Sequence, residues 1–261
     1  MSGFRISTIV FCILGFIVAL NPVQLGTRKA MAQGNELNTL TAEEKAEGWY
    51  ILFDGESFIG WTGVGRTEVP ADIWKIENGA IQKIAREDYP LAPDGEPVRG
   101  GNLRTKDTFQ NFEISLEWKV APRTNSGIKY NVFPDRPGSF GSLGFEYQVL
   151  DDAKYQNLGV LHKAGALYEL YPPNNKKHLR PAGEYNHTRI IMNGTHGEHW
   201  LNGEKIVEYE IDSRKIRRAF AKSKWSDNDE FLDRRVAPIV FQDHGGAVWF
   251  RNIKIKPPPS D

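Results

Sequence analysis

The sequence predicts an all-β fold, an antiparallel β-sandwich of the jelly-roll type, on three observations. Two runs alternate apolar and polar residues with the period of a half-buried strand: FEISLEWKV at Phe112–Val120 and FEYQVL at Phe145–Leu150. Two Asn-Gly pairs, Asn78-Gly79 and Asn202-Gly203, each separate two short strand-like runs and so signal tight hairpins. Helical patterns are few, and many short strands joined by tight turns make a sandwich or jelly roll.

The first residues stand apart from this pattern. Arg5 precedes a nearly uncharged run from Ile6 to Leu20, and Ala30-Met31-Ala32 supplies the small residues of a cleavage site. Residues 1–32 therefore read as a secretory signal, with Gln33 the first mature residue and an exported, periplasmic or extracellular product. The run stops at Asn21-Pro22, short of the ~20 apolar residues that a membrane span needs. Cys12, the sole cysteine, lies inside it, so the mature chain has neither a disulfide nor thiol chemistry. Residues 1–32 hold three of the 33 basic residues and none of the 33 acidic ones, leaving a net charge of about −3. Nothing in that balance suits a nucleic-acid or anionic-membrane partner. A chain of this size can be held by its core alone.

Residues 33–48 form a polar lead-in with one short helix, marked by the capping box Thr41-Ala42-Glu43-Glu44 and stopped at Gly48. Residues 49–257 read as one domain. Strands are expected at Trp49–Phe53, Asp72–Glu77, Ala80–Ile84 and Phe112–Val120. Others follow at Ile128–Phe133, Phe145–Leu150, His199–Leu201, Glu204–Tyr209, Ile239–Gln242 and Val248–Ile255. Ser213–Trp225, with five basic residues before Ser223, reads as a solvated helix on a sheet edge. His162, His187 and His196 sit in loop-like contexts.

The stretch Gly144–Asp152 draws the functional residues together. Period two places Glu146 and Gln148 on one face and Phe145, Tyr147 and Val149 on the other, the natural core face. A carboxylate beside an amide makes a polar floor on which a ligand could rest.

Segments across the chain then resemble the 3-keto-disaccharide hydrolase family, formerly domain of unknown function 1080. They include LFDGESFIGW (Leu52–Trp61), WKIENGAI (Trp74–Ile81), GGNLRTKDTFQNFEISLEWKV (Gly100–Val120) and NSGIKY (Asn125–Tyr130). GALYELYPP (Gly165–Pro173), EHWLNGEKIVEY (Glu198–Tyr209) and IVFQDHGGAVWFRNIKIK (Ile239–Lys256) continue the series in order. The resemblance implies a concanavalin-like jelly roll, secreted, that hydrolyses glycosides whose sugar carries a ketone at C3.

The residues can be tested against that chemistry. A retaining sandwich glycosidase needs two carboxylates ~5–5.5 Å apart, yet Gln148 and Leu150 follow Glu146 on its face. A 3-keto sugar needs other groups. Its carbonyl acidifies the C2 hydrogen, a base removes it, the C1 substituent leaves, and water adds. The protein must supply a base, a stabiliser for the enolate oxygen and a proton for the leaving oxygen. Histidine suits the proton roles, and His199, before a hairpin turn, and His244, at a strand end, are the candidates. Lys129, beside Glu146, is the candidate enolate stabiliser. Gln148, Trp61, Asn125, Tyr168 and Asp243 are candidate substrate contacts, Trp61 and Tyr168 by stacking on the sugar. Asn125 and Ser126 also read as the turn before their strand.

No HExxH, paired cysteines or EF-hand loop is present, and no nucleotide, flavin or nicotinamide signature. One divalent ion held by Glu146, a histidine and a carbonyl remains an alternative way to polarise the ketone. Two rival readings stay open: a non-catalytic, lectin-like carbohydrate-binding module, and an interaction domain whose polar residues do not converge. A pocket of aromatic platforms with no polar cluster around Glu146 would favour the first, and failure of Glu146, Lys129, His199 and His244 to converge would favour the second.

Overall fold

In a computed structural model, residues 36–258 are described, apart from Pro137, together with Met1 and Gly3. The expected signal segment thus lies outside the described residues, those two aside. Thr41 caps a short helix, α1 (Ala42–Ala46). Its hydroxyl accepts from the Glu44 amide and the Glu44 carboxylate accepts from the Thr41 amide, so both halves of the capping box form.

Among the described residues thirteen strands follow. They are β1 (Tyr50–Ile51), β2 (Trp61–Gly63), β3 (Trp74–Glu77), β4 (Ala80–Lys83), β5 (Leu103–Thr105), β6 (Phe112–Val120) and β7 (Asn125–Tyr130). Then come β8 (Phe145–Leu150), β9 (Asn186–Asn193), β10 (His196–Leu201), β11 (Glu204–Glu210), β12 (Val240–Phe241) and β13 (Val248–Lys256). A second helix, α2 (Arg214–Phe220), lies between β11 and β12, with Ser213 as its N-cap and Ile216 buried.

The strands make two antiparallel sheets, the larger ordered β11-β10-β9-β6-β13-β4-β3 with β1 also on β13, the smaller ordered β2-β5-β12-β7-β8. Both Asn-Gly hairpins form, with Asn78 and Asn202 in the left-handed region that such turns require. The sheets pack face to face. Leu116 and Trp118 of β6 are fully buried, as are Tyr147 and Val149 of β8. Phe241 of β12 stacks on Phe250 of β13 with ring centres 4.0 Å apart, joining the small sheet to the large one. Among the described residues no helix is long and apolar enough to cross a membrane.

Several segments depart from the expected pattern, among them β2 and β5, which are strands where none was expected. β9 was not expected: its inward residues begin with Asn186 and Thr188, whose polarity hides the alternation. Thr188 is buried because its hydroxyl accepts from the Trp118 indole at 2.8 Å. His187 thus lies on β9, and His196 opens β10, which begins three residues before the expected start at His199, so both lie on strands rather than loops. Asn125 and Ser126 belong to β7 rather than to a turn, since Ser126 donates to the Gln242 carbonyl and is fully buried.

Candidate active site

The register of the small sheet assembles the site. Lys129 on β7 pairs across from Glu146 on β8, and Gly127 pairs across from Gln148. Cross-strand partners project to the same face, so both pairs share the face away from the core. Val240 of β12 continues the Lys129 row, and the Gln242 amide donates to the Gly127 carbonyl, continuing the next row. Beyond β8, the Tyr168 amide donates to the Glu146 carbonyl, bringing Tyr168 to the outer edge of the Glu146 row. Of these, Lys129, Glu146, Gln148, Gln242 and Tyr168 line a cavity of about 310 Å³.

Glu146 is the one carboxylate among the described residues that line it. Its Oε2 lies 3.3 Å from Lys129 Nζ, and the same ammonium donates to the Ser142 carbonyl at 3.0 Å. Burial raises the Glu146 pKa, opposed by the attraction of Lys129. Gly127 leaves the space that the carboxylate fills, because a Cβ there would overlap it. Gln148 is fully buried and donates its amide nitrogen to Asn125 Oδ1 at 2.9 Å. Its Oε1 and the Ser142 hydroxyl are buried without hydrogen-bond partners among the described residues, which equips them for the hydroxyls of a polyol.

His244 stands exposed at the rim, on the loop that follows β12. Its ring has no hydrogen-bond partner within the described protein. Partial desolvation lowers its pKa, helped by the positive charges of Lys83 and Lys129, so the imidazole is neutral at pH 7. The loop is fastened from behind. Buried Lys83 donates to the Gly245 carbonyl at 2.5 Å and sits 3.3 Å from Asp243 Oδ1.

The cavity thus gathers Glu146, Lys129, His244, Gln148, Asn125 and Tyr168 from the residues that the sequence singled out. Three others are placed elsewhere. His199 is fully buried between the sheets, where Nδ1 donates to the Gly165 carbonyl and Nε2 accepts from the Tyr130 hydroxyl at 2.6 Å. Burial pulls its pKa down to about 4, so it is a neutral core histidine. Trp61 is buried at 2 % exposure, donates to the Leu52 carbonyl and packs on Phe241, leaving no free face for a sugar. Asp243 turns away from the cavity, accepting from the Gly101 amide and the Tyr89 hydroxyl and pairing with Lys83. Its place is bracing the His244 loop.

Sequence reasoning missed Lys224 and Trp225, which line the same cavity. The sequence places them at the end of a helix over Ser213–Trp225, but α2 stops at Phe220 and they lie in the turn that follows it. A signal for His199 was present, since alternation sets it on the face of Leu201, opposite Glu198 and Trp200.

A divalent ion at Glu146 would share the carboxylate with the Lys129 ammonium, 3.3 Å away. Among the described residues the one grouping of three His, Cys, Asp or Glu side chains close enough to share an ion is His196, Glu198 and Glu208 on the large sheet. Lys205 occupies that grouping, 3.0 Å from Glu198 and 2.6 Å from Glu208.

Comparison with known proteins follows the same lines. Residues 48–256 match the family described as the 3-keto-alpha-glucoside-1,2-lyase-like domain. A curated 3-keto-disaccharide hydrolase from Bacteroides thetaiotaomicron is 32% identical, over 90% of this chain and 87% of that protein. Two crystal structures from Parabacteroides distasonis ATCC 8503, provisionally described as glycosyl hydrolases, share the fold. One has a TM-score of 0.72 at 31% identity, covering 86% of this chain and 100% of its own. The other has a TM-score of 0.56 at 26% identity, covering 76% and 98%.

Proposed function

The chain belongs to the 3-keto-alpha-glucoside-1,2-lyase-like family, and on that premise we propose that it cleaves glycosides of 3-keto sugars by elimination across C1 and C2 followed by hydration. The observation that carries this reading is the Lys129–Glu146 pair, buried beside Gln148 and within one cavity with His244, with no second carboxylate among the described residues that line it. A lone carboxylate held by a lysine does not supply the two carboxyl groups that double displacement uses. It does suit an enolate, which needs a fixed positive charge in a dry setting.

In this reading the Lys129 ammonium faces the C3 carbonyl oxygen and takes up the negative charge that develops there. Glu146 holds the ammonium in place, and Gln148, Asn125 and Ser142 fix the ring hydroxyls. Neutral His244 removes the proton from C2. The C2–H electron pair becomes the enolate, the enolate collapses to expel the C1 oxygen, and that oxygen departs with the proton that His244 took from C2. Water then adds to C1 of the resulting enone while C2 regains a proton, so the sum is hydrolysis. Convergence of a polar cluster around Glu146 favours this over a lectin-like module, whose binding needs no such charge pair.

We also propose export, with cleavage before Gln33, on the strength of Arg5, the apolar run and Ala30-Met31-Ala32. N-terminal sequencing of the fractionated protein tests that part, and a membrane-bound product beginning at Met1 would exclude it. The activity is tested by offering a 3-keto-disaccharide and its unoxidised parent side by side. Only the keto compound should be cut; comparable cleavage of the parent would defeat the proposal.

A further inference from the structure

Two features bound the catalytic row, and they differ in kind. On the inner side, Val240 is fully buried and packs with Val64, Val132 and Ala237 into a small apolar cluster of its own. This plug covers the middle of the face just beyond Lys129. On the outer side stand Tyr168 and Trp225, both half-buried, with ring centres 5.9 Å apart. Trp225 is held from behind, stacked on Phe231 at 4.5 Å and 15°, and Phe231 in turn stacks on Phe220 of α2. Lys224 bridges the pair, donating to the Tyr168 hydroxyl at 3.2 Å and lying 4.4 Å over its ring.

The buried charges and amides belong with the sugar that reacts, because they act most strongly where water is excluded. With the Val240 side plugged, the rest of a bound glycoside extends toward the sheet edge. We infer that Trp225 and Tyr168 form the leaving-group subsite, selecting aglycones that present a flat apolar face: an aryl ring or the CH face of a second pyranose. The inference rests on the reading above in taking a glycoside as the ligand. Its physical basis is separate: rigid, half-exposed aromatic rings beside a polar pocket stack on such faces. α2 and the turn after it thereby acquire a purpose, carrying the Phe220–Phe231–Trp225 stack to the cavity mouth.

The experiment compares 3-keto-glucosides with methyl, phenyl and glucosyl leaving groups on the wild type, Trp225→Ala and Trp225→Phe. Trp225→Ala should raise the KM of the phenyl compound relative to the methyl compound by about 3- to 10-fold, the usual worth of an aromatic contact. Trp225→Phe should restore most of that ratio. The glucosyl compound tells whether a sugar face is held as an aryl ring is. A parallel measurement of phenyl and methyl glucoside binding, without turnover, uses ligand-observed NMR. Loss of phenyl binding in Trp225→Ala supports the subsite even if no glycoside is cleaved. An unchanged phenyl-to-methyl ratio in a folded Trp225→Ala protein overturns it, even if the keto substrates are still cut.

Discussion

Lys129 and Glu146 face one another across adjacent strands, their charged ends 3.3 Å apart, with Glu146 only 5 % exposed. Desolvation outweighs the lysine's attraction and raises the carboxylate's pKa. The pair is therefore costly to the fold, as expected of groups kept for chemistry rather than for stability.

Removing one partner should cost more than removing both. Lys129→Met is expected to destabilise the protein by roughly 3–5 kcal/mol at neutral pH, by stranding a buried carboxylate. Lys129→Met/Glu146→Gln should recover most of that loss while remaining inactive. The sign with pH follows from the raised pKa. Ionised Glu146 costs nothing in acid below its unfolded value, and the full cost is present above its folded value. The Lys129→Met penalty should thus shrink as urea titrations are run toward pH 4.5. A penalty that is independent of pH, or additive in the double variant, would contradict this.

Gly127→Ala should destabilise by about 1–3 kcal/mol, the range for forcing an atom into a filled space. The added Cβ overlaps the Glu146 carboxylate. In a Glu146→Ala background the same change should cost little. Equal costs in both backgrounds, read by thermal unfolding, would show that the strain lies elsewhere.

His244→Asn should lower kcat by roughly 10²–10⁴-fold, the share of general acid–base catalysis, with little change in Tm because the ring is exposed. Neutral imidazole is the active form and its pKa is lowered, so wild-type kcat/KM should be flat near pH 7. It should fall only on the acid side of an ordinary histidine's value. An acid limb centred above 6.5 would assign the base elsewhere.

His199 tests the opposite case. An unfolded chain protonates this histidine below about 6.5, whereas the folded core holds it neutral down to about 4. Its stabilising contribution is complete above the unfolded value and is lost as pH falls toward the folded one, a loss of roughly 3 kcal/mol. His199→Gln should flatten that part of the stability profile and keep turnover within tenfold. Loss of turnover in a folded His199→Gln protein would return it to the mechanism.

Alternation made the two strongest strands legible: β6 and β8 begin and end where the pattern places them, and Glu146 and Gln148 share the expected face. Direct opposition of Lys129 and Glu146 was less accessible, because register depends on pairing between strands and not on period. Trp61 misled through its glycine neighbours, which suggest an open loop, although hydrogen bonding to Leu52 draws it into the core. Trp225 and Lys224 were missed because the expected helix runs to Trp225, whereas α2 stops at Phe220 and leaves them in the turn that follows. Their place comes from the ring stack with Phe231.

The central claim is elimination across C1 and C2, and isotope incorporation tests it most directly. A 3-keto-glucoside cleaved in deuterated water should yield product carrying deuterium at C2, above a no-enzyme control, because the proton removed there is replaced from solvent. Product with C2 hydrogen fully retained would contradict the account, in which the proton taken from C2 leaves with the aglycone and is replaced from solvent.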